Sequence, residues 1–140
     1  MRFTHIMVPI IATSIFTLTA CANSAEAPTR SERANRSLER TLGDRIAGTP
    51  QRCISTRQAR NMSRIDADTI LFRESGRRIW RTEMSGNCGG IGSGRALVTS
   101  RSSGQFCRGD SAGVVDVRTR MMVGSCTFGE FVPYTRPTKN

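Results

Sequence analysis

The sequence predicts a mainly β protein: a small disulfide-stapled barrel or sandwich of five to seven short strands, preceded by one short N-terminal helix. Three observations carry this. After Pro50, short apolar runs alternate with turn residues, the pattern of a small all-β domain. Four cysteines, Cys53, Cys88, Cys107 and Cys126, fall within that stretch. The one extended helical pattern, residues 31–48, lies ahead of it.

The elements follow in chain order. Residues 1–20 open with Arg2 and continue as an apolar run from Ile6 to Ala20, too short to span a membrane comfortably and rich in small residues at its end, as in a signal peptide. The leader closes on Leu18-Thr19-Ala20-Cys21, which resembles the lipobox of bacterial lipoproteins. That resemblance implies cleavage before Cys21, lipidation of its thiol and, with the non-acidic Ala22 next, sorting to the outer membrane. Several acyl chains give stable anchoring where one is marginal. The competing reading is cleavage after Ala27 in Ala25-Glu26-Ala27, which leaves a soluble periplasmic protein.

Residues 21–30 read as the lipidated Cys and a flexible tether of Ala, Ser, Glu, Pro and Thr. Residues 31–48 read as a short amphipathic helix, capped by Ser31, closed by Gly48 and stopped by Pro50. Ala34, Leu38, Leu42 and Ile46 form one narrow apolar stripe along it, and Gly43 weakens it. Residues 49–135 form the β domain and 136–140 a tail. Within the domain, Asp66-Ala67-Asp68 is a turn, and Ile70–Phe72 and Ile79-Trp80 flank Glu74–Arg77 as a hairpin. Ala96–Val98, Val114–Val117 and Met121–Val123 are further strands. Phe128–Tyr134 is the last, and Pro133 places it at an edge or a strand end.

With Cys21 assigned to lipid, the four remaining cysteines pair as two disulfides. They allow three connectivities. The preferred one is Cys53–Cys126, tying the start of the domain to its end, with Cys88–Cys107 closing the glycine-rich loop. On the chain-entropy account each loop contributes about 3 to 4.5 kcal/mol, comparable with the whole stability of a small domain.

Composition narrows the chemistry. The 140 residues carry a net charge of +10, and every basic residue but Lys139 is Arg. Such a surface favours anionic partners. Scattered arginines and a single Trp and Tyr give little to stack on bases, so nucleic acid is not the expected partner. The only His is His5, inside the leader, which removes Ser-His-Asp and Cys-His nucleophilic systems and His-ligated metal sites from the mature chain. No C-x-x-C pair supports a metal or a redox dithiol, and no cofactor motif is present.

Several short motifs resemble a known family: Ala47-Gly48-Thr49-Pro50 with Cys53-Ile54, Ile65 to Phe72, Cys88-Gly89-Gly90-Ile91, Phe106 to Asp110, and Cys126 to Phe131. Together, from about Leu38 to Val132, the chain is similar to a family of short proteobacterial envelope proteins known as a domain of unknown function. The resemblance implies an exported domain and brings no activity, substrate or catalytic residue with it.

Four motifs invite sharper readings. Gly86 to Arg95 looks like a phosphate loop, but Arg95 and Ala96 stand where Lys and Ser/Thr belong, so it reads as a tight turn-rich loop. Arg108-Gly109-Asp110 spells an adhesion tripeptide and reads as a turn. Asp66 with Asp68, or Asp110 with Asp116, offers carboxylate pairs for glycoside hydrolysis, which needs two carboxyls about 5–10 Å apart in a cleft. Trp80 reads as core. The sequence thus points to a non-enzymatic, lipid-anchored binding or structural module, its partner an anionic envelope polymer or an envelope protein. The alternatives are a small carboxylate-dependent cell-wall glycan hydrolase and a periplasmic inhibitor-like module.

Overall fold

The computed structural model describes residues 30–92, 94–99 and 104–138. The expected leader, the lipidation candidate Cys21 and all of the tether but Arg30 lie outside the described residues.

Ser31 starts helix α1 (Glu32–Leu42): its backbone is extended and its hydroxyl accepts from the Ala34 N–H at 3.3 Å, while Glu32 sits favourably in the first turn. The helix stops at Gly43, five residues before the expected stop at Gly48. Gly43 takes φ 58°, a conformation open to glycine, and its N–H still reaches the Glu39 carbonyl at 2.7 Å. Ile46 is therefore not on the apolar stripe. It lies 66% exposed in strand β1 (Ile46–Ala47), where the edge of the sheet offers backbone partners that a further helical turn would forgo.

The remaining strands are β2 (Cys53–Ser55), β3 (Met62–Arg64), β4 (Thr69–Arg73), β5 (Arg78–Gly86), β6 (Arg95–Val98), β7 (Gln105–Cys107), β8 (Ser111–Asp116) and β9 (Met122–Thr135). The main antiparallel sheet runs β3-β4-β5-β9-β8-β6 and curls into a half-barrel. β1 joins β9 on the side opposite β5, and β2 and β7 form a separate ribbon against the curl. The expected mainly β architecture, with one helix ahead of it, is the one observed.

β9 organises the fold. It fuses two segments expected to be separate strands, Met121–Val123 and Phe128–Tyr134, into one strand of 14 residues. Pro133 lies inside this central strand and not at an edge. Its carbonyl accepts from the Gly48 N–H at 2.7 Å, so its missing N–H faces the same side, where residues 48–50 pass without regular pairing. A bulge opposite Glu83 sets two residues of β9 against one of β5. Gly129 permits it: a Cβ there would stand 2.4 Å from the Glu83 carbonyl oxygen. The extra residue shifts the alternation, so Phe128 and Phe131 both turn into the concave side.

That side holds the main core. Ile54, Ile70, Phe72, Trp80, Val114, Phe128 and Phe131 are buried together, with Phe106 packed at the rim. On the convex side Leu38 and Leu42 of α1 cover Leu71 and Ile79, with Ile65 and Tyr134 alongside. Further along that face Val98 and Met122 are exposed.

The preferred disulfide pairing does not occur. Cys53 and Cys107 stand directly opposite each other in the β2–β7 ribbon and are bonded. Cys126 cannot reach Cys53, because it sits in β9 between Gly86 of β5 and Ala112 of β8. Cys88 and Cys126 are both free and buried.

Candidate functional site

Several arginines share the end of the domain built by the β4–β5 turn, the loop after α1 and the chain beyond β9. The hairpin is made as the sequence predicts: Glu74 and Ser75 donate to the Arg78 carbonyl, each at 3.2 Å, and the Ser75 hydroxyl accepts from the Arg77 and Arg78 amides. This turn carries Arg77 and Arg78 side by side. The register Arg78–Thr135 then brings Arg136 against them, its N–H donating to the Arg77 carbonyl at 3.0 Å.

Arg45 closes the group. Its guanidinium donates to the Gly76 carbonyl at 2.8 Å and to the last carbonyls of α1. Burial, then the like charges of Arg136 and Arg73, lower its affinity for its proton, and only Asp44 works the other way. Two acidic groups share this end with five arginines: Asp44 pairs with Arg136 at 3.3 Å, and Glu74 with Arg78 at 3.6 Å. Glu74 also accepts from the Trp80 indole at 2.8 Å. A shallow depression here is lined by Glu74, Ser75, Arg77, Arg78 and Thr135.

A second polar cluster stands at the start of α1 on the convex face. Arg30, just ahead of the Ser31 cap, bonds Asp66 at 2.6 Å and Glu83 at 2.9 Å. Thr69 donates to Glu83 at 2.8 Å and accepts from Arg30. Arg81 binds Glu83 from the other side and reaches the Tyr134 hydroxyl at 3.3 Å. Burial works against the charge on Asp66, but the Arg30 guanidinium and the Asp68 and Thr69 amides outweigh it and hold its carboxyl below the ordinary carboxylate range. This cluster is saturated, so its chemistry is to fasten the helix to the sheet.

The residues singled out from the sequence fall as follows. Asp66 is tied to Arg30 and its own turn, and Asp68 follows it in that turn, donating its N–H to the Asp66 carboxylate at 3.0 Å. Asp116 accepts from the Thr119 and Arg118 amides, which hold its carboxyl low. Asp110 accepts from the Cys107 N–H. One described depression, between Ser31, Arg33, Arg64 and Ala67, takes in Asp66 but not Asp68, and none of those described is lined by both members of either proposed pair.

The glycine-rich loop is a closed turn. Arg95 lies over Gly90 and donates to the Gly89 carbonyl at 3.2 Å, while Ile91 is buried in the core beneath. Arg108-Gly109-Asp110 is a turn with Gly109 at φ 90°, its N–H donating to the Phe128 carbonyl at 2.8 Å, and Arg108 pairs with Glu130 at 3.0 Å. Trp80 is core, 1% exposed.

Sequence reading missed the basic end. Arg77-Arg78 in a turn was visible, but the approach of Arg45 and Arg136 depends on where α1 stops and on the β5–β9 register. Among the described residues no group of three His, Cys, Asp or Glu is arranged to hold a metal ion, and no helix is long and apolar enough to cross a membrane.

Compared with known families, residues 4–137 match the profile of DUF6491, a family of unknown function. No curated protein and no solved structure matches the chain.

Proposed function

We propose, for a chain that belongs to this family of unknown function and inherits no activity from it, the role of a lipid-anchored envelope protein, non-enzymatic, whose basic end holds an anionic envelope polymer. Cys21 would carry the lipid, in the outer membrane of a diderm cell, with residues 22–29 as the tether and Arg30, expected as its last residue, fixed instead to Asp66 and Glu83. The observation that carries the binding role is that Arg45 feels the like charges of Arg136 and Arg73 at an end that also carries Arg77 and Arg78, where among the described residues Asp44 and Glu74 supply the ion pairs. A surface end with more arginines than carboxylates gains from a polyanion.

Two measurements test this. Retention of the mature protein on an immobilised anionic polysaccharide is expected to fall steeply between low and physiological salt, and Arg77→Ser with Arg78→Ser to remove most of it. Retention indifferent to salt would discard the binding role. Intact mass spectrometry of membrane-extracted protein is expected to show a triacylated N-terminal Cys21, and Cys21→Ala to release the protein from the membrane fraction. A mature chain beginning at Asn23 or later would discard the anchor.

A further inference from the structure

The two free cysteines occupy a place that was made by the backbone around them. β5 ends at Gly86, opposite Cys126, where φ is 99° and a Cβ would stand 2.9 Å from the Ser125 carbonyl oxygen. The chain then folds over β9. The Asn87 N–H donates to the Ser125 carbonyl at 2.9 Å, and its own carbonyl oxygen lies 2.4 Å from where a Cβ of Gly124 would be. Two glycines thus let residues 87–88 lie directly on the strand that carries Cys126. The small Ala112 flanks Cys126 on the other side. Cys88 and Cys126 lie in the same core cluster, 1% and 2% exposed, with the Cys88 thiol donating to the Ser85 carbonyl at 3.9 Å. With Cys53 and Cys107 bonded to each other, each has one partner in the domain.

We propose that Cys88 and Cys126 form the second cross-link of this domain, and that it closes while the chain is still folding and is then sealed by the core. Two thiols lose two protons and two electrons to form one S–S bond. A small-molecule or protein disulfide accepts both electrons, first as a mixed disulfide with one of the cysteines, and leaves as two thiols. That exchange needs a thiolate within reach of the oxidant. In the finished domain neither condition holds: both sulfurs are covered, and burial, then the contact with Cys126, pushes the Cys88 thiol up to about 12. The oxidant therefore meets these cysteines before the core that buries them has closed. The resulting bonds, Cys53–Cys107 and Cys88–Cys126, interleave along the chain instead of nesting. One bond lies within the ribbon and the other within the half-barrel, and the two chain loops they close overlap.

The inference rests on the exported reading, since it needs an oxidising compartment. Trypsin, cutting after arginine, places the four cysteines on four different peptides, so the native envelope protein can be alkylated in denaturant without reductant and mapped directly. The expected result is no alkylation at any of the four and one peptide pair joined through Cys88 and Cys126. Alkylated Cys88 and Cys126 beside an intact Cys53–Cys107 bond overturns this inference alone; four alkylated cysteines overturns the exported reading with it. Treating the native protein with dithiothreitol checks the sealing. Cys53–Cys107, on a half-buried ribbon, is expected to open at least about a hundredfold faster than Cys88–Cys126, and equal rates overturn it.

Discussion

The strands β4 and β5 are packed on both faces, and the two faces are held by different means. On the concave side four phenylalanines, Phe72, Phe106, Phe128 and Phe131, meet with ring centroids 5.6 to 6.4 Å apart, backed by Trp80, Ile54 and Ile70. On the convex side the same strands offer Leu71 and Ile79 to a helix that contributes Leu38 and Leu42. An 11-residue helix is marginal on its own, and two leucines bury little area. What supplements them is polar: the Arg30 bridge from the start of the helix to Asp66 and Glu83. The concave core is therefore the unit that makes the domain, and the helix is an attachment whose hold depends on charge. Loss of the first should unfold the protein. Loss of the second should free the helix and leave the sheet.

The largest expected effect breaks the concave side. Phe128→Ala removes the ring that touches Phe72, Phe106 and Phe131 and should cost about 3–5 kcal/mol, much of the stability of a domain this size. Urea unfolding followed by Trp80 fluorescence would measure it, and a loss below about 1 kcal/mol would contradict the packing described. Gly129→Ala should follow, at about 1–3 kcal/mol, because the new Cβ meets the Glu83 backbone and not a yielding side chain. An alanine accepted without loss would mean that the β9 bulge is not where it is placed.

The contrast between the faces also explains what could be read ahead of the structure. The hairpin around Glu74–Arg77 was legible because its turn residues and flanking apolar runs act locally. So was the narrow stripe of Leu38 and Leu42. The helix end was not: Ile46 continues the stripe, while Gly43 ends it, and the decision went to the free edge of β9, which is a tertiary feature. The bulge was invisible for a similar reason. Phe128 and Phe131 are an odd number of positions apart, so strict alternation puts them on opposite faces, and only the extra residue at Gly129 brings them together. For the cysteines, the connectivity was not readable, because cross-strand opposition of Cys53 and Cys107 is set by pairing of a ribbon that leaves little periodic trace. The basic end shows the limit of composition. A charge of +10 announces many arginines, but not which five converge.

A smaller effect should separate the faces. Leu38→Ala is expected to cost about 2–3 kcal/mol of helix docking, near the low end for a buried leucine, since the site lies at the domain surface. Its signature is local. Hydrogen exchange should accelerate across residues 32–42 while the amides of β5 and β9 keep their protection. Uniform acceleration through the sheet would show that helix and core unfold as one unit, and the comparison would fail.

Acid should loosen the same attachment by its other hold. The Asp66 carboxyl lies below its ordinary range in the folded domain, so its contribution is fully present above about pH 4, the unfolded value, and is lost as pH falls through the lower folded one. Protonation takes the Asp66 carboxylate from Arg30, and helix amides are expected to exchange faster as pH falls below about 4, after correction for the intrinsic rate, while Cys126 and Phe128 in β9 stay protected. Asp66→Asn should weaken docking by about 1 kcal/mol at neutral pH and flatten this acid response at the helix. Asp116 also titrates low, but it serves the exposed β8–β9 turn, so its protonation should register there and not at residues 32–42. An unchanged helix acid response in Asp66→Asn would assign the clamp to Glu83, whose bonds to Arg30, Arg81 and Thr69 would then carry the attachment without it.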